Sequence, residues 1–334
     1  MKVSVRPWFF LLLLLGICLA GGCRPHGQEA ATVQRSRLLM GTVVEITAIG
    51  PERAPLDAAV DAAFAEMARI EALMSSHRPD SDVARLSAAA GATTVAAETA
   101  TVIALGREVA IRSGGAFDMG LGRLKELWDI EGEKPHLPSA AEIRTALAGT
   151  GPDDLRLEGR TVAKADPRLA VDLGGIAKGY AVDRAAAVLA ARGVRHAAVN
   201  AGGDMRLLGD HEGRRWRIGI QHPRHSEALL ATLDLADCAV VTSGDYERYF
   251  ERDGVRYHHL FDPRSGRPAR LCQAVTVVAP RAALADALAT AAFVLGPEAG
   301  LELLRDYPEV EGLIVAADGS GVTTDGLAGQ VQWR

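Results

Sequence analysis

The sequence of 334 residues has little excess charge and few cysteines, and each shortage excludes a class of protein. Its formal net charge is −5 at pH 7, whereas nucleic-acid binding needs a clustered basic face, so no nucleic-acid partner is expected. The four cysteines, Cys18, Cys23, Cys238 and Cys272, have no spacing that suggests a zinc site. Cys238 and Cys272 lie in apolar, strand-like stretches, where a disulfide and two buried free thiols both remain open.

Two catalytic signatures are also absent. The stretch around Ser243 lacks the Gly-x-Ser-x-Gly elbow of nucleophilic hydrolases, which argues against a serine nucleophile at that position. The glycine-rich stretch GGIAKG, residues 174–179, lacks the spacing of a Walker loop. No internal repeat and no low-complexity linker interrupts the main part of the chain, whose length is enough for one large domain or two modest ones.

The first 22 residues are typical of a bacterial secretory signal. A basic segment precedes an apolar run at residues 8–20, which is shorter than the roughly 20 residues that a membrane-spanning helix needs. The run ends in LAGGC, which resembles the lipobox of bacterial lipoproteins, with Cys23 as the residue that would carry the lipid. Cleavage without lipidation is the alternative. In either case the mature chain is expected to be exported, with residues 23–37 as a tether and residues 38–334 as the folded body.

The hydrophobic patterns of the body predict an α+β fold with mixed or antiparallel sheets and packed helices, because many strands lie outside a regular β-α-β alternation. A strand is expected from Leu38 to Ile49, followed by a helix that starts near Pro55. The stretch GGAFDMGLGRLKELW, residues 114–128, is expected to be a helix end followed by a loop. Other helices are predicted at residues 98–113, 139–148 and 283–295. A further helix follows the glycine turn near residue 175 and ends at about residue 192, and a shorter one follows Gly296. Other strands are predicted at residues 196–203, 216–220, 228–235, 239–242, 256–260, 274–278 and 312–318.

The stretch VDLGGIAKGYAVDR, residues 171–184, combines paired glycines with a lysine and two carboxylates at a strand-to-helix turn. Glycines at such a turn let the backbone approach a ligand closely, and the N-terminus of the following helix presents unpaired N–H groups. The stretch therefore predicts a site for a phosphate ester.

The stretch LADALAT places Asp286 and Thr290 four residues apart on an otherwise apolar helix. Residues at positions i and i+4 share one face of a helix, so their oxygens point in the same direction. A hard cation such as Mg²⁺ prefers oxygen ligands and would satisfy both groups. The alternative is that Thr290 bonds back to a helix carbonyl while Asp286 pairs locally, and the sequence alone leaves both open.

The adjacent histidines in YHHLFDPRSGRP face opposite sides of a strand, so only one of His258 and His259 can reach a given site. A single histidine on a strand is more often structural than catalytic. The residues alone therefore do not assign His259 a role.

Eight segments in a fixed order closely resemble the FAD:protein FMN transferase family, also called the ApbE family. They are MGT at residues 40–42, FDMGLGRLKELW, DLGGIAKGYAVD, NAGGD, WRIGIQHP, TSGDYERY, HHLFDPRSGRP and ADALATAAFVLG. The resemblance spans about residues 38–316 and implies a T-fold-like body.

The resemblance implies a Mg²⁺-dependent enzyme that binds FAD, moves FMN onto a Ser or Thr hydroxyl of an acceptor protein and releases AMP. The acceptors it implies are flavoprotein subunits of membrane redox complexes of the NADH:quinone oxidoreductase or Rnf type. Matching the family motifs residue by residue assigns the metal to Asp286, Thr290 and the backbone carbonyl of Ala177. This assignment agrees with the i, i+4 geometry of the helix.

The same matching assigns a set of FAD contacts and one catalytic residue. His259 would lie near the pyrophosphate and receive or orient the proton of the acceptor hydroxyl, with a pKa close to the working pH. The FAD contacts it implies are Met40, Ala116, Phe117, Asp118, Gly174, Lys178 and His259, with His77 where the family often has an aromatic residue. Met119 stands where Pro, Ile or Val is expected, which removes no ligand.

Two other functions remain compatible with the sequence. An FAD pyrophosphatase that splits FAD into FMN and AMP with water would need the same metal and the same pyrophosphate contacts. A flavin-binding lipoprotein without activity would be expected to lack Asp286, Thr290 or His259, and all three are present.

Overall fold

The computed structural model of the protein describes residues 30–133 and 135–334. The predicted signal at residues 1–22 and the predicted lipidation site Cys23 lie outside the described residues. Within these two ranges, no helix is long and apolar enough to cross a membrane.

The helices and strands alternate irregularly along the chain. The strands are β1 (Ala31–Leu39), β2 (Thr42–Gly50), β3 (Thr93–Thr94), β4 (Leu155–Glu158), β5 (Thr161–Lys164), β6 (His196–Ala201), β7 (Asp204–Leu208), β8 (Trp216–His222), β9 (His225–Leu235), β10 (Ala239–Gly244), β11 (Tyr249–Arg252), β12 (Val255–His258), β13 (Phe261–Asp262), β14 (Arg267–Pro268), β15 (Cys272–Ala279), β16 (Glu311–Ala316), β17 (Gly321–Thr323) and β18 (Gln332–Trp333). The helices are α1 (Arg53–Met74), α2 (Asp82–Ala88), α3 (Ala97–Arg112), α4 (Gly122–Trp128), α5 (Ala140–Ala146), α6 (Ala177–Ala191), α7 (Ala282–Leu295), α8 (Pro297–Arg305) and α9 (Asp325–Ala328).

An eight-stranded sheet with the order β1-β2-β6-β7-β10-β15-β16-β17 forms the centre of the fold. Each neighbouring pair whose register the structure describes is antiparallel, as between β2 and β6 and between β10 and β15. In β2 the apolar side chains of Val44, Ile46 and Ala48 alternate with more polar ones and point to the helical side. The central strand β15 is buried almost throughout, which explains its nearly continuous apolar run.

Helices α1, α6 and α7 pack together on one face of this sheet and enclose the main hydrophobic core. Helix α7 contacts β10 and β15 as well as α3, α6 and α8, so nearly all of its sides are covered. This enclosure explains why a helix so rich in alanine and leucine is stable, and it makes any polar side chain on α7 expensive to bury without a partner.

The opposite face of the sheet is covered by a three-stranded sheet with the order β18-β9-β8, which encloses a second apolar cluster. A third cluster joins α4 and α5 to β13 around the fully buried indole of Trp128. The indole N–H donates to the carbonyl of Gly266 at 2.9 Å, so α4 is attached to the β13-β14 turn.

The α+β class is confirmed, and most of the predicted helices and strands lie where the sequence places them. Three local expectations were wrong. The strand expected at residues 38–49 is a hairpin of β1 and β2, because Met40 and Gly41 adopt positive φ angles of 54° and 70° and reverse the chain. Strand β1 begins at Ala31, inside the segment that was predicted to be a tether. The stretch expected to be a loop contains helix α4.

Candidate active site

A cavity of about 300 Å³ opens where the N-terminus of α6, helix α7 and the loops around α4 and β10 converge. The segments that line it come from distant parts of the chain, yet eight of the predicted site residues share its wall. These eight are Ala116, Phe117, Asp118, Gly174, Lys178, His259, Asp286 and Thr290.

The other three predicted residues lie close to the cavity without lining it. Met40 donates its backbone N–H to Glu71 at 2.8 Å, and the next two residues of the hairpin turn form part of the wall. Ala177 is buried as the first residue of α6 and precedes Lys178 in the chain. His77 is exposed, and its charge acts on the carboxylate of Asp172 inside the cavity.

Helix α7 presents Asp286 and Thr290 to the cavity one turn apart, as their spacing predicts. Asp286 Oδ2 accepts the backbone N–H of Gly179 at 3.0 Å, which ties α7 to the first turn of α6. Gly179 has no room for a side chain, because a Cβ there would lie 2.3 Å from the carbonyl oxygen of Ala282.

Thr290 does not bond back to a carbonyl of its own helix, which was the alternative to a metal-binding role. Two other helical threonines show what this bond looks like. The hydroxyls of Thr101 and Thr145 donate to the backbone carbonyls four residues earlier, at 2.9 Å and 3.0 Å. Within the described ranges Thr290 makes no such bond, so its hydroxyl is available to the cavity. A Cβ on Gly175 would lie 3.3 Å from Thr290 Oγ1, so the missing side chain leaves open the space in front of this hydroxyl.

The oxygens of Asp286, Thr290 and the Ala177 carbonyl are of the kind that magnesium binds. Burial, and next the charge of Asp204, raise the pKa of Asp286 to about 8, so an anionic Asp286 needs a cation nearby. In the described part of the chain no group of three His, Cys, Asp or Glu side chains is arranged to hold a metal. A site at Asp286 would therefore depend on neutral oxygens, those of Thr290 and the Ala177 carbonyl, together with ligand oxygens.

A buried ion pair lies beside the candidate metal ligands. Lys178 Nζ is 3.1 Å from Asp204 Oδ1, and Asp204 is almost inaccessible to solvent. Burial opposes the charged form of Lys178, but Asp204 and Asp286 outweigh it and raise the pKa of the lysine. Lys178 is therefore cationic at neutral pH and faces the cavity.

The two adjacent histidines face opposite sides, although β12 ends at His258 and His259 lies in the bend that follows the strand. His258 is buried, with Nε2 at 2.8 Å from the carbonyl of Ala269, and its ring meets Phe293 edge-on. His259 faces the cavity, and its Nδ1 lies 3.3 Å from the carbonyl oxygen of Arg248. A neutral ring that donates from Nδ1 to this carbonyl carries its lone pair on Nε2.

The expected pKa of His259 near the working pH was wrong. Burial lowers it to about 3, and the positive charges of Arg248 and Lys125 add to this effect. The imidazole is therefore neutral at neutral pH, which is the form that accepts a proton.

Asp118 lies against Asp154, a residue that the sequence reasoning missed. Asp118 Oδ1 accepts the N–H of Gly120 at 2.6 Å, while Oδ2 of each aspartate is buried without a partner in the described chain. Burial and then the charge of Asp118 raise the pKa of Asp154 to about 8, and burial also raises that of Asp118. One proton held between the two carboxyl groups satisfies both orphan oxygens.

Other polar residues of the wall had no predicted role in the site, except Asp172, a carboxylate of the predicted turn, and Ser243, which was rejected as a nucleophile. Charged residues that follow β10 or lie in and near α4 form part of the wall. The sequence showed only that most of them belong to segments that resemble the family. The additional polar lining residues are Thr42, Lys125, Glu131, Asp172, Asp204, Thr242, Ser243, Glu247 and Arg248.

Comparison with known proteins places the chain among flavin transferases. The ApbE family model matches residues 40–314. A protein of Treponema pallidum named FAD:protein FMN transferase is 34% identical, over 99% of this chain and 97% of its own length. A protein of the same name from Vibrio cholerae is 34% identical, over 89% of this chain and 90% of its own length.

Two solved structures are similar in fold as well as in sequence. The ApbE protein of Thermotoga maritima superposes with a TM-score of 0.82 at 35% identity, covering 89% of this chain and 98% of its own. The flavin transferase ApbE of Vibrio cholerae has a TM-score of 0.80 at 31% identity, covering 90% and 99% of the two chains. The match therefore extends over nearly all of the described body, and the chain belongs to the ApbE family.

Proposed function

We propose that this protein transfers FMN from FAD to a hydroxyl group of an acceptor protein and releases AMP. The observation that carries the proposal is the single cavity that brings together His259, the glycine turn at residues 174–175 and the oxygens of Asp286 and Thr290. The relatives named for this reaction cover nearly the whole chain, which supports the same chemistry here.

The reaction requires one bond to form and one to break at phosphorus. The acceptor oxygen bonds to the phosphorus of the FMN half, and the bridging P–O bond to the AMP half breaks, with AMP taking the electron pair. The hydroxyl proton passes to Nε2 of His259, which is neutral and therefore free to accept it. The carbonyl of Arg248 holds the ring through Nδ1 during this transfer.

We propose that Asp286, Thr290 and the Ala177 carbonyl hold Mg²⁺. When bound, this ion would neutralise pyrophosphate charge and stabilise the departing phosphate. Lys178 adds a second positive charge beside it, anchored by Asp204. Gly174, Ala116, Phe117 and Asp118 line the remaining wall and are proposed to contact FAD, with Met40 and His77 at the edge of the site.

We also propose where the reaction occurs and on which partner. The LAGGC segment supports export and lipid attachment at Cys23, on the periplasmic side of a bacterial membrane. Flavoprotein subunits of membrane redox complexes of the NADH:quinone oxidoreductase or Rnf type would then be accessible acceptors.

The lipid anchor can be tested separately from the activity. Replacing Cys23 with Ser should move the protein from the membrane fraction to the soluble periplasmic fraction. Retention in the membrane fraction would contradict the anchor.

The test of function is to incubate the purified protein with FAD, Mg²⁺ and a candidate acceptor domain. A fluorescent acceptor band on a denaturing gel, with one AMP released per flavin attached, supports covalent transfer. AMP and free FMN without a labelled band, across several acceptors, would support the FAD pyrophosphatase instead. Bound FAD that stays intact would indicate a flavin carrier and would overturn the proposal.

A further inference from the structure

Helix α4 directs one cation into the cavity. Lys125 lies in the last turn of this helix, and its side chain lines the cavity wall beside the turn that carries Gly174. Its ammonium contacts Asp172 Oδ1, and the lysine side chain remains 35% exposed. The sequence gives no obvious sign of this placement, because α4 lies in a stretch that reads locally as a loop.

The ion pair of Lys125 and Asp172 is built closely against the glycine turn. Asp172 Oδ1 also accepts the backbone N–H of Gly174 at 2.9 Å. A Cβ on Gly174 would lie 3.0 Å from both Lys125 Nζ and Asp172 Oδ1, so a side chain would crowd both groups. The absence of a side chain at residue 174 therefore lets the ammonium rest over the backbone of the turn.

The ammonium retains hydrogen-bonding capacity for a ligand. An ammonium has three N–H donors, and Asp172 is the one acceptor that Lys125 bonds within the described ranges. The other cations of the wall differ in position. Lys178 is paired with the buried Asp204 near the candidate metal ligands, and Arg248 is paired with the exposed Glu131.

Lys125 shares the cavity wall with the proposed base and with two of the proposed metal ligands, Asp286 and Thr290. Burial is the main cause of the lowered pKa of His259, and Lys125 contributes to the same shift. Lys125, His259 and Asp286 thus line one cavity, and a phosphoryl group bound there would face all three side chains.

We propose that Lys125 is a catalytic residue that donates a hydrogen bond to a non-bridging oxygen of the phosphoryl group under attack. This inference rests on the proposed function. As the acceptor oxygen bonds to phosphorus and the bond to AMP breaks, the proton goes to His259 while Lys125 stabilises the charge on the phosphoryl oxygens. Asp172 and Gly174 hold the ammonium in place for this contact.

The test must separate this role from a structural ion pair that only attaches α4 to the turn. Lys125→Met removes the charge but leaves Asp172 unpaired. The double variant Lys125→Met/Asp172→Asn removes both charges and leaves no unpaired carboxylate. Arg123→Met is the matched control, because Arg123 is a cation on the same helix that does not line the cavity.

The measurement is steady-state FMN transfer by the full-length protein with FAD, Mg²⁺ and an acceptor, with thermal unfolding of each variant. We expect Lys125→Met and the double variant to lose about 100-fold in kcat. The KM for FAD should change less than kcat, and Arg123→Met should resemble the wild type.

Three results would overturn the inference. They are a wild-type kcat in Lys125→Met, recovery of kcat in the double variant, or a higher KM with kcat unchanged. If Lys125→Met does not fold, the double variant decides alone. A wild type that releases no AMP would instead overturn the proposed function and this inference with it, whereas active Lys125 variants overturn only this inference.

Discussion

The two histidines at residues 258 and 259 show how strongly a local environment separates neighbours of the same type. His258 is buried and bonded to Ala269, and burial lowers its pKa to about 4. His259 faces the cavity, where burial and two cations lower its pKa further, to about 3. Both rings are neutral at pH 7, but only that of His259 can meet a substrate.

The lowered pKa of His259 leads to a specific pH profile. A group with a depressed pKa stays neutral until the pH falls to that value, so the base should remain active at pH 5. We expect kcat/KM for FAD, which reports the ionisation of the free enzyme, to show no protonation of this base between pH 8 and 5. A loss centred near pH 6.5, the ordinary pKa of histidine, would contradict this.

Replacing the proposed base should affect turnover more than binding. His259→Gln should lower kcat by about 100-fold or more while FAD still binds.

Replacing Asp286 with Asn should have opposite effects on metal binding and on stability. The variant loses the only carboxylate among the proposed metal ligands, so Mg²⁺ affinity measured by calorimetry with FAD present should fall by at least about tenfold. Because burial disfavours the charged form of Asp286, the metal-free variant should unfold at a temperature equal to or above that of the wild type. Asp210→Asn, at a half-exposed position outside the cavity, is the control. Unchanged Mg²⁺ affinity would contradict the ligand assignment.

The carboxyl pair of Asp118 and Asp154 should make stability depend on pH. The folded pKa of Asp154 is raised to about 8, so the folded state holds a proton that the unfolded state loses near pH 4. The unfolding free energy should therefore fall as the pH rises from about 4 to 8. Asp154→Asn removes this titration and should be more stable than the wild type at pH 8 by about 1 to 3 kcal/mol. Parallel pH profiles for variant and wild type would contradict the shared proton.

At the scale of elements, the contact between α6 and α7 positions the candidate metal ligands. Gly179→Ala would place a Cβ 2.3 Å from the Ala282 carbonyl, a backbone atom that cannot move aside easily. We expect a loss of about 1 to 3 kcal/mol in the unfolding free energy, measured by urea denaturation. Mg²⁺ affinity should fall too, because Gly179 also bonds Asp286. Gly91→Ala, where a Cβ has open space, is the control, and equal stability of the two variants would exclude this packing role.

The elements that could be predicted are those with strong periodicity or alternation. Helices α1 and α7 and strand β15 carry long apolar patterns, so their positions follow from the sequence. Helix α4 has only seven residues, and its glycine-rich surroundings read as a loop. Trp128 packs its indole into the third cluster and bonds Gly266, a contact between residues distant in the chain. Local patterns do not record such contacts, so the helix could not be predicted.

At the scale of the whole molecule, no disulfide contributes to stability in the described body. Cys238 and Cys272 are free, which decides the alternative that the sequence left open. Burial raises the pKa of their thiols to about 11 and about 12, so both are poor nucleophiles. We expect dithiothreitol to leave the unfolding temperature unchanged, Cys272 to react with iodoacetamide only after unfolding, and the partly buried Cys238 to react more slowly in the folded protein than in the unfolded chain. A lower unfolding temperature in reductant would contradict this.

The sequence by itself determined the fold class, the family resemblance and the helix face shared by Asp286 and Thr290, because these depend on periodicity and on the order of motifs. Only the tertiary structure decided which charged groups meet. Lys125 with Asp172 and Asp118 with Asp154 are pairs of residues 47 and 36 positions apart in the sequence. The low pKa of His259 likewise depends on burial and on charges from other segments. Desolvation and electrostatic interactions act through space, so they become visible only once the chain has folded.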